Sequence, residues 1–156
     1  MKKNLWIVSS ILLITGCTSI PSKENSNVGI QGLLICEKNE ICPIVTVAWN
    51  ESFKDLLKVK MSLNSAYQQY DIQKVVFTDG SKIYSFNVNG STQGDYVFGA
   101  YRSRNSVMVP KNLLENFSGS QNILMNIYTD HGVISRYILK NNLRAPIYEE
   151  LSKVYK

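Results

Sequence analysis

From Leu57 to Asn64 the chain alternates without a fault, with Leu57, Val59, Met61 and Leu63 apolar and Lys58, Lys60, Ser62 and Asn64 polar. A period of two places successive side chains on opposite faces of a strand, so this stretch reads as a strand with one buried and one wet face. Such a strand must lie in a sheet that covers a core on one side only. That is the habit of antiparallel sheets.

The rest of the chain carries the same signature in shorter pieces. Val28 to Ile35 and Ile44 to Trp49 are β-rich runs. Val75 to Thr78 leads into Asp79-Gly80, a hairpin signal, and Lys82 to Val88 runs on to a second turn at Asn89-Gly90. Tyr96 to Arg102 and Ser106 to Val109 read as two further short strands. Ile123 to Tyr128 and Val133 to Leu139 flank Asp130-His131-Gly132 as a third hairpin.

Two helices interrupt the pattern. The first opens at Pro110, where a missing N–H costs nothing, and carries Leu113, Leu114 and Phe117 before Gly119 ends it. The second starts near Pro146 with Ile147, Leu151 and Val154 inward and Glu149 four residues ahead of Lys153 as an exposed pair. Seven to nine short strands with two short helices predict a mainly β domain, an antiparallel β-sandwich or partly open barrel.

The amino terminus belongs to a different regime. Lys2 and Lys3 precede an apolar run from Leu5 to Ile14, which is followed by Thr15-Gly16-Cys17. Ten residues are about half of what a bilayer span needs, so the run is an export signal and not a permanent helix. With its Ile14-Thr15-Gly16-Cys17 ending, the segment resembles a bacterial lipoprotein signal with its lipobox. The resemblance implies cleavage before Cys17, diacylglycerol on the Cys17 sulfur and a fatty acyl chain, such as palmitate, on the new amino terminus. Each buried CH₂ contributes about 0.8 kcal/mol, so three chains hold firmly where one holds marginally. In Gram-negative lipoproteins an aspartate after the cysteine favours the inner membrane. Thr18 stands there instead, which points to the outer membrane with the domain facing the periplasm.

Domain boundaries follow from this reading. Residues 1–16 form the signal, 17–27 a lipidated tether, and 28–156 a single β-rich periplasmic domain. The tether is Ser, Pro, Lys, Glu and Asn with only Ile20 apolar, and ten such residues reach about 17 Å as a flexible coil. Cleavage leaves 140 of the 156 residues, enough for one proper core. It also lowers the formal charge from +5 to +3 through the loss of Lys2 and Lys3. So modest an excess is no nucleic-acid signature, although it suits contact with anionic envelope polymers or lipids.

With Cys17 given to lipid, Cys36 and Cys42 remain as an even pair. The spacer Glu37 to Ile41 is turn-like, and an oxidising compartment favours a disulfide that contributes about 2 kcal/mol. A metal or redox pair is the competing reading. It lacks support, because the sole histidine, His131, is remote in sequence and the spacing is not C-x-x-C.

No constellation in the sequence declares a reaction. Phosphate-binding and dinucleotide-binding glycine patterns, H-E-x-x-H and G-x-S-x-G are all missing. Asp130 and His131 are neighbours that a tight turn explains, and Asp79 and Asp95, each beside a glycine, also read as turn formers. Three N-x-S triplets, at Asn50, Asn89 and Asn116, are chance matches in a bacterial chain. The expectation is therefore no catalytic residue, no metal and no cofactor.

Binding is better supported than catalysis. Tyr96, Tyr101, Arg102 and Arg104 gather in one stretch, and tyrosine with arginine is enriched at binding hot spots. The competing reading sends Tyr96, Phe98 and Ala100 into the core and leaves the arginines solvated. The Lys54, Lys58 and Lys60 row reads as an exposed strand face, with anionic-ligand contact as its functional alternative.

Ser106-Val107-Met108-Val109-Pro110, then Leu113-Leu114, Asn122 to Tyr128 and the Gly132 hairpin resemble the invasion-associated locus B type of periplasmic β-domain. The likeness covers about a third of the chain and implies fold alone. The expected function is a non-enzymatic binding or envelope-complex module, held to the membrane by the lipid on Cys17, with an envelope protein as partner and no nucleic acid. The alternatives are a periplasmic inhibitor or immunity lipoprotein, and a small wall- or lipid-directed hydrolase.

Overall fold

A computed structural model describes residues 28–31 and 34–153. The signal 1–16, the tether 17–27 with Cys17, and Val154 lie outside the described residues. The protein is mainly β, with two antiparallel sheets packed around one apolar core.

The first sheet comprises β1 (Val28–Gln31), β2 (Leu34–Glu37), β5 (Ile72–Thr78), β6 (Ile83–Asn87), β9 (Asn122–Thr129), β10 (Gly132–Lys140) and β11 (Leu143–Arg144). Its spatial order is β1-β2-β10-β9-β5-β6, with β11 also beside β10. The second sheet has the order β3-β4-β8-β7, from β3 (Ile44–Trp49), β4 (Leu56–Ser65), β7 (Gln93–Val97) and β8 (Ala100–Pro110). The chain crosses between sheets four times, so the two sheets are interleaved along the sequence.

The alternating segment behaves as its period requires. Leu57, Val59, Met61 and Leu63 are buried on β4, facing Val75 and Phe77 of β5 and Ile123, Met125 and Ile127 of β9 across the core. Lys58 and Lys60 are exposed on the other face. β4 and β8 pair without interruption from Leu56↔Pro110 to Ser65↔Tyr101, which makes them the spine of the second sheet. Helix α1 (Pro146–Ser152) buries Ile147 and Leu151 against one end of the sandwich.

The described residues contain eleven strands, more than the expected seven to nine, for two reasons. The run from Val28 to Ile35 contributes two strands, β1 and β2, paired antiparallel with Gln31 opposite Leu34. The short strand β11, Leu143–Arg144, was not expected. The segments Tyr96 to Arg102 and Ser106 to Val109 do correspond to two strands, but with other bounds. A turn falls inside the first and β8 runs straight through the gap between them. The expected helix at Pro110 is a 3₁₀ turn over Leu113–Phe117, because Pro110 closes β8 and too few residues remain before Gly119 for a stable α-helix. Glu149 pairs with Arg144 and Lys153 with Glu150, in place of the expected Glu149–Lys153 pair.

Cys36, on β2 of the first sheet, is bonded to Cys42, just before β3 of the second. The bridge therefore staples the crossing between sheets. Arg136 of β10 reaches the same loop from a position opposite Met125, buried, with Nε and Nη2 donating to the Ile41 carbonyl at 3.0 and 2.6 Å. Its Nη1 donates to the Ser135 carbonyl at 2.6 Å and lies 3.4 Å from Glu40. Burial pulls the guanidinium below its ordinary range, and Glu40 and Glu37 oppose that pull.

Candidate functional site

β7 and β8 are joined by Phe98 and Gly99 alone, with φ of +51° and +81°. Positive φ at both central residues is the geometry that matches the twist of paired strands, and Gly99 adopts it freely. Phe98 does not, since a left-handed conformation costs an L-residue about 1–2 kcal/mol. Its ring is also fully exposed, at 104 % of the reference area.

The register that follows sorts the predicted residues onto two faces. Tyr96 opposes Tyr101, with ring centroids 5.0 Å apart in an edge-to-face contact, and both are exposed. Asp95 opposes Arg102 and Gln93 opposes Arg104 on the reverse face. Arg102 donates Nε and Nη2 to the two Asp95 oxygens at 2.9 and 2.6 Å, and Arg104 adds a contact at 3.2 Å. The Arg102 hydrogen bond, aided by the charges of both arginines, holds the Asp95 carboxyl below its usual range. Tyr96, Tyr101, Arg102 and Arg104 are thus neighbours in one hairpin but not one surface. The alternative that buried Tyr96 and Phe98 is corrected, as is the assignment of Asp95 to a turn: it is a strand residue that organises two guanidinium groups.

A second loop strengthens the aromatic face. β4 ends at Ser65, opposite Tyr101, and its Oγ accepts from the N–H groups of Tyr67 and Gln68. The Gln69 amide lies over Gly94 so closely that a Cβ there would overlap it. Tyr70 N–H donates to the buried Ser103 Oγ at 2.8 Å. These bonds clamp residues 66–70 to the hairpin end and leave Tyr67 91 % exposed beside it. Tyr67 and Phe98 escape a sequence reading. Their signal, isolated aromatics next to turn positions, is the same one that core aromatics give.

The other candidates sit elsewhere. Asp79 is the turn former expected, accepting from Ser81 and Lys82 N–H and from Ser120 Oγ. His131 lies in the β9–β10 turn, its Nε2 3.5 Å from Asp130 and its ring edge-on to Tyr70, while Asp130 accepts from Asp71 N–H. Lys58 and Lys60 occupy the outer face of β4, and Lys54 follows the 3₁₀ turn Glu51–Phe53 that Asn50 caps. Among the described residues no three His, Cys, Asp or Glu are grouped to hold a metal, and no helix is long and apolar enough to cross a membrane.

No family model, curated protein or solved structure matches this chain.

Proposed function

We propose that the chain is a lipoprotein held by Cys17 in the outer membrane, and that its periplasm-facing sandwich is a non-enzymatic module binding an envelope protein through the β7–β8 hairpin end. One observation carries this reading: Phe98 stands fully exposed in a conformation its backbone resists, in the same hairpin as the exposed pair Tyr96 and Tyr101. Burying a side chain of this size is worth about 1.5–3 kcal/mol, and this fold forgoes it. A strained, exposed aromatic is a poor choice for stability and a good one for contact, since rigid aromatic rings dominate binding hot spots. The residues 2–17 support the membrane side of the proposal through their lipobox pattern.

The test is site-specific photo-cross-linking in intact cells, with a photoreactive phenylalanine analogue placed at position 98 or at Ile83. Ile83 is also exposed but lies beside the Asp79 turn, which Lys82 and Ser120 tie to the 3₁₀ segment at the far end of β8. A discrete protein adduct in the outer-membrane fraction from position 98, lost on Tyr96→Ser with Tyr101→Ser and not formed from position 83, is the expected result. Equal adducts from both positions, or none from 98, would remove the hairpin as the contact.

A further inference from the structure

The outer face of the second sheet carries a different surface, independent of the aromatic end. Side chains of β4 and β8 pointing away from the core form the floor of a groove of about 480 Å³, and the loop from Asn89 to Gln93 forms one wall. Asn89 N–H donates to the Ser106 carbonyl, so the wall is pinned to β8 just outside the start of β7.

Register arranges the cations of this face in a line. Lys58 and Lys60 are two residues apart on β4, Arg104 stands opposite Ser62, and Arg102 stands opposite Asn64. Lys58 to Lys60 on β4 and Arg104 to Arg102 on β8 are each two strand residues, or about 7 Å, with one change to the neighbouring strand between Lys60 and Arg104. Asp95 is committed to Arg102 by two short bonds and reaches Arg104 by one longer one. Lys58 and Lys60 make no ion pair among the described residues, and no carboxylate lines the groove. The rest of the lining is hydroxyl and amide, from Ser62, Asn89 and Gln93 among others.

We infer that this groove binds an acidic saccharide chain, with Lys58, Lys60 and Arg104 on its carboxylates and the amide and hydroxyl groups on its sugar hydroxyls. The chemistry of the lining selects this class. A single-stranded nucleic acid needs aromatic faces for its bases, and no aromatic side chain lines the groove. An acyl chain needs apolar walls, and only Ile44 and Met61 are apolar here. A line of cations meets a polymer whose charges repeat, and the polar wall replaces the water stripped from its hydroxyls.

The experiment titrates fluorescently labelled oligogalacturonate with the full-length protein and follows anisotropy, using dextran as the neutral polymer and oligodeoxythymidylate as the nucleic acid. Oligogalacturonate should bind and dextran should not, with affinity falling as salt rises. Lys58→Gln with Lys60→Gln should weaken binding about tenfold or more. Both positions are exposed, and circular dichroism with the melting temperature verifies the fold; Lys60→Gln alone gives a smaller loss in the same direction. The inference is overturned by no oligogalacturonate binding, by unchanged affinity in the folded double variant, or by tighter binding of oligodeoxythymidylate. Phe98→Ser must leave this affinity unchanged, because the hairpin tip contributes nothing to the groove.

Discussion

Two hairpin turns at opposite ends of the molecule answer the same geometric problem in opposite ways. At Asp79-Gly80 the carboxylate accepts from the N–H groups of Ser81 and Lys82 and from the hydroxyls of Ser81 and Ser120. Both carboxylate oxygens are spent on the fold, and Lys82 adds a bond to the Asn116 carbonyl. At Phe98-Gly99 the turn is shorter, its first residue is strained, and the exposed ring makes no contribution of that kind. Turn chemistry optimised for stability is available to this sequence, since it is used at Asp79. Its absence at Phe98 is the feature that the proposed contact surface accounts for.

The contrast extends to the arginines and yields the largest expected effect. Arg136 is buried and satisfies the Ile41 carbonyl inside the disulfide loop, whereas Arg144 is exposed and meets Glu149 at 3.4 Å. Truncating Arg136, itself buried, removes both donors from the half-buried Ile41 carbonyl inside the Cys36–Cys42 loop and empties its place in the fold. Arg136→Ala should therefore lower the free energy of unfolding by about 3 kcal/mol, against less than about 0.5 kcal/mol for Arg144→Ala. Urea titration at constant m-value measures both. Similar small losses for the two would mean that the Arg136 end is no more committed to the fold than the surface is.

A smaller effect, in pH, tests whether Asp79 is the stability residue of the pair of turns. Hydrogen bonds from Ser120 and Lys82 hold its carboxyl well below the ordinary carboxylate range against the opposing effect of desolvation. A carboxyl depressed in the folded state contributes stability that is fully present above its unfolded value of about 4 and is lost as pH falls toward the folded value. Asp79→Asn should therefore melt below the parent at neutral pH, and the gap should narrow steadily below about pH 4. A gap that is constant with pH would show that the charge is not what the turn uses.

How far these arrangements were legible in the sequence depends on whether a face is buried. The period of two from Leu57 to Asn64 was readable because one side of β4 is wholly core and a one-residue slip would expose all of it. The Asp79-Gly80 turn was readable because its residues solve a backbone problem locally. Phe98-Gly99 was not, since phenylalanine signals burial or strand and hides the turn inside an apparently continuous run from Tyr96 to Arg102. Without that turn the register is unknown. Tyr96, Tyr101, Arg102 and Arg104 could then be grouped by position, but not sorted into the tyrosine face and the arginine face. Arg136 was unreadable for a related reason: its role depends on Ile41, 95 residues away, and on a strand crossing that no local pattern reports.

The smallest effect is also the sharpest, because it should move stability and binding in opposite directions at one residue. Phe98 occupies the left-handed region at φ +51° with its ring in solvent, so replacement removes almost no packing. Asparagine enters that region far more readily, and Asn-Gly is the preferred pair for a two-residue hairpin. Phe98→Asn should accordingly stabilise the fold by about 1 kcal/mol in urea titration. If the hairpin end is the contact surface, the same substitution should weaken capture of the cross-linked partner by about 2 kcal/mol, a loss of about thirtyfold. Most substitutions that weaken a binding site by damaging the fold lower both quantities, so a gain in one with a loss in the other isolates the ring itself. A stabilised Phe98→Asn protein that binds its partner as before would leave the strain at this turn without a functional reason, and the contrast between the two hairpins would then be one of history and not of use.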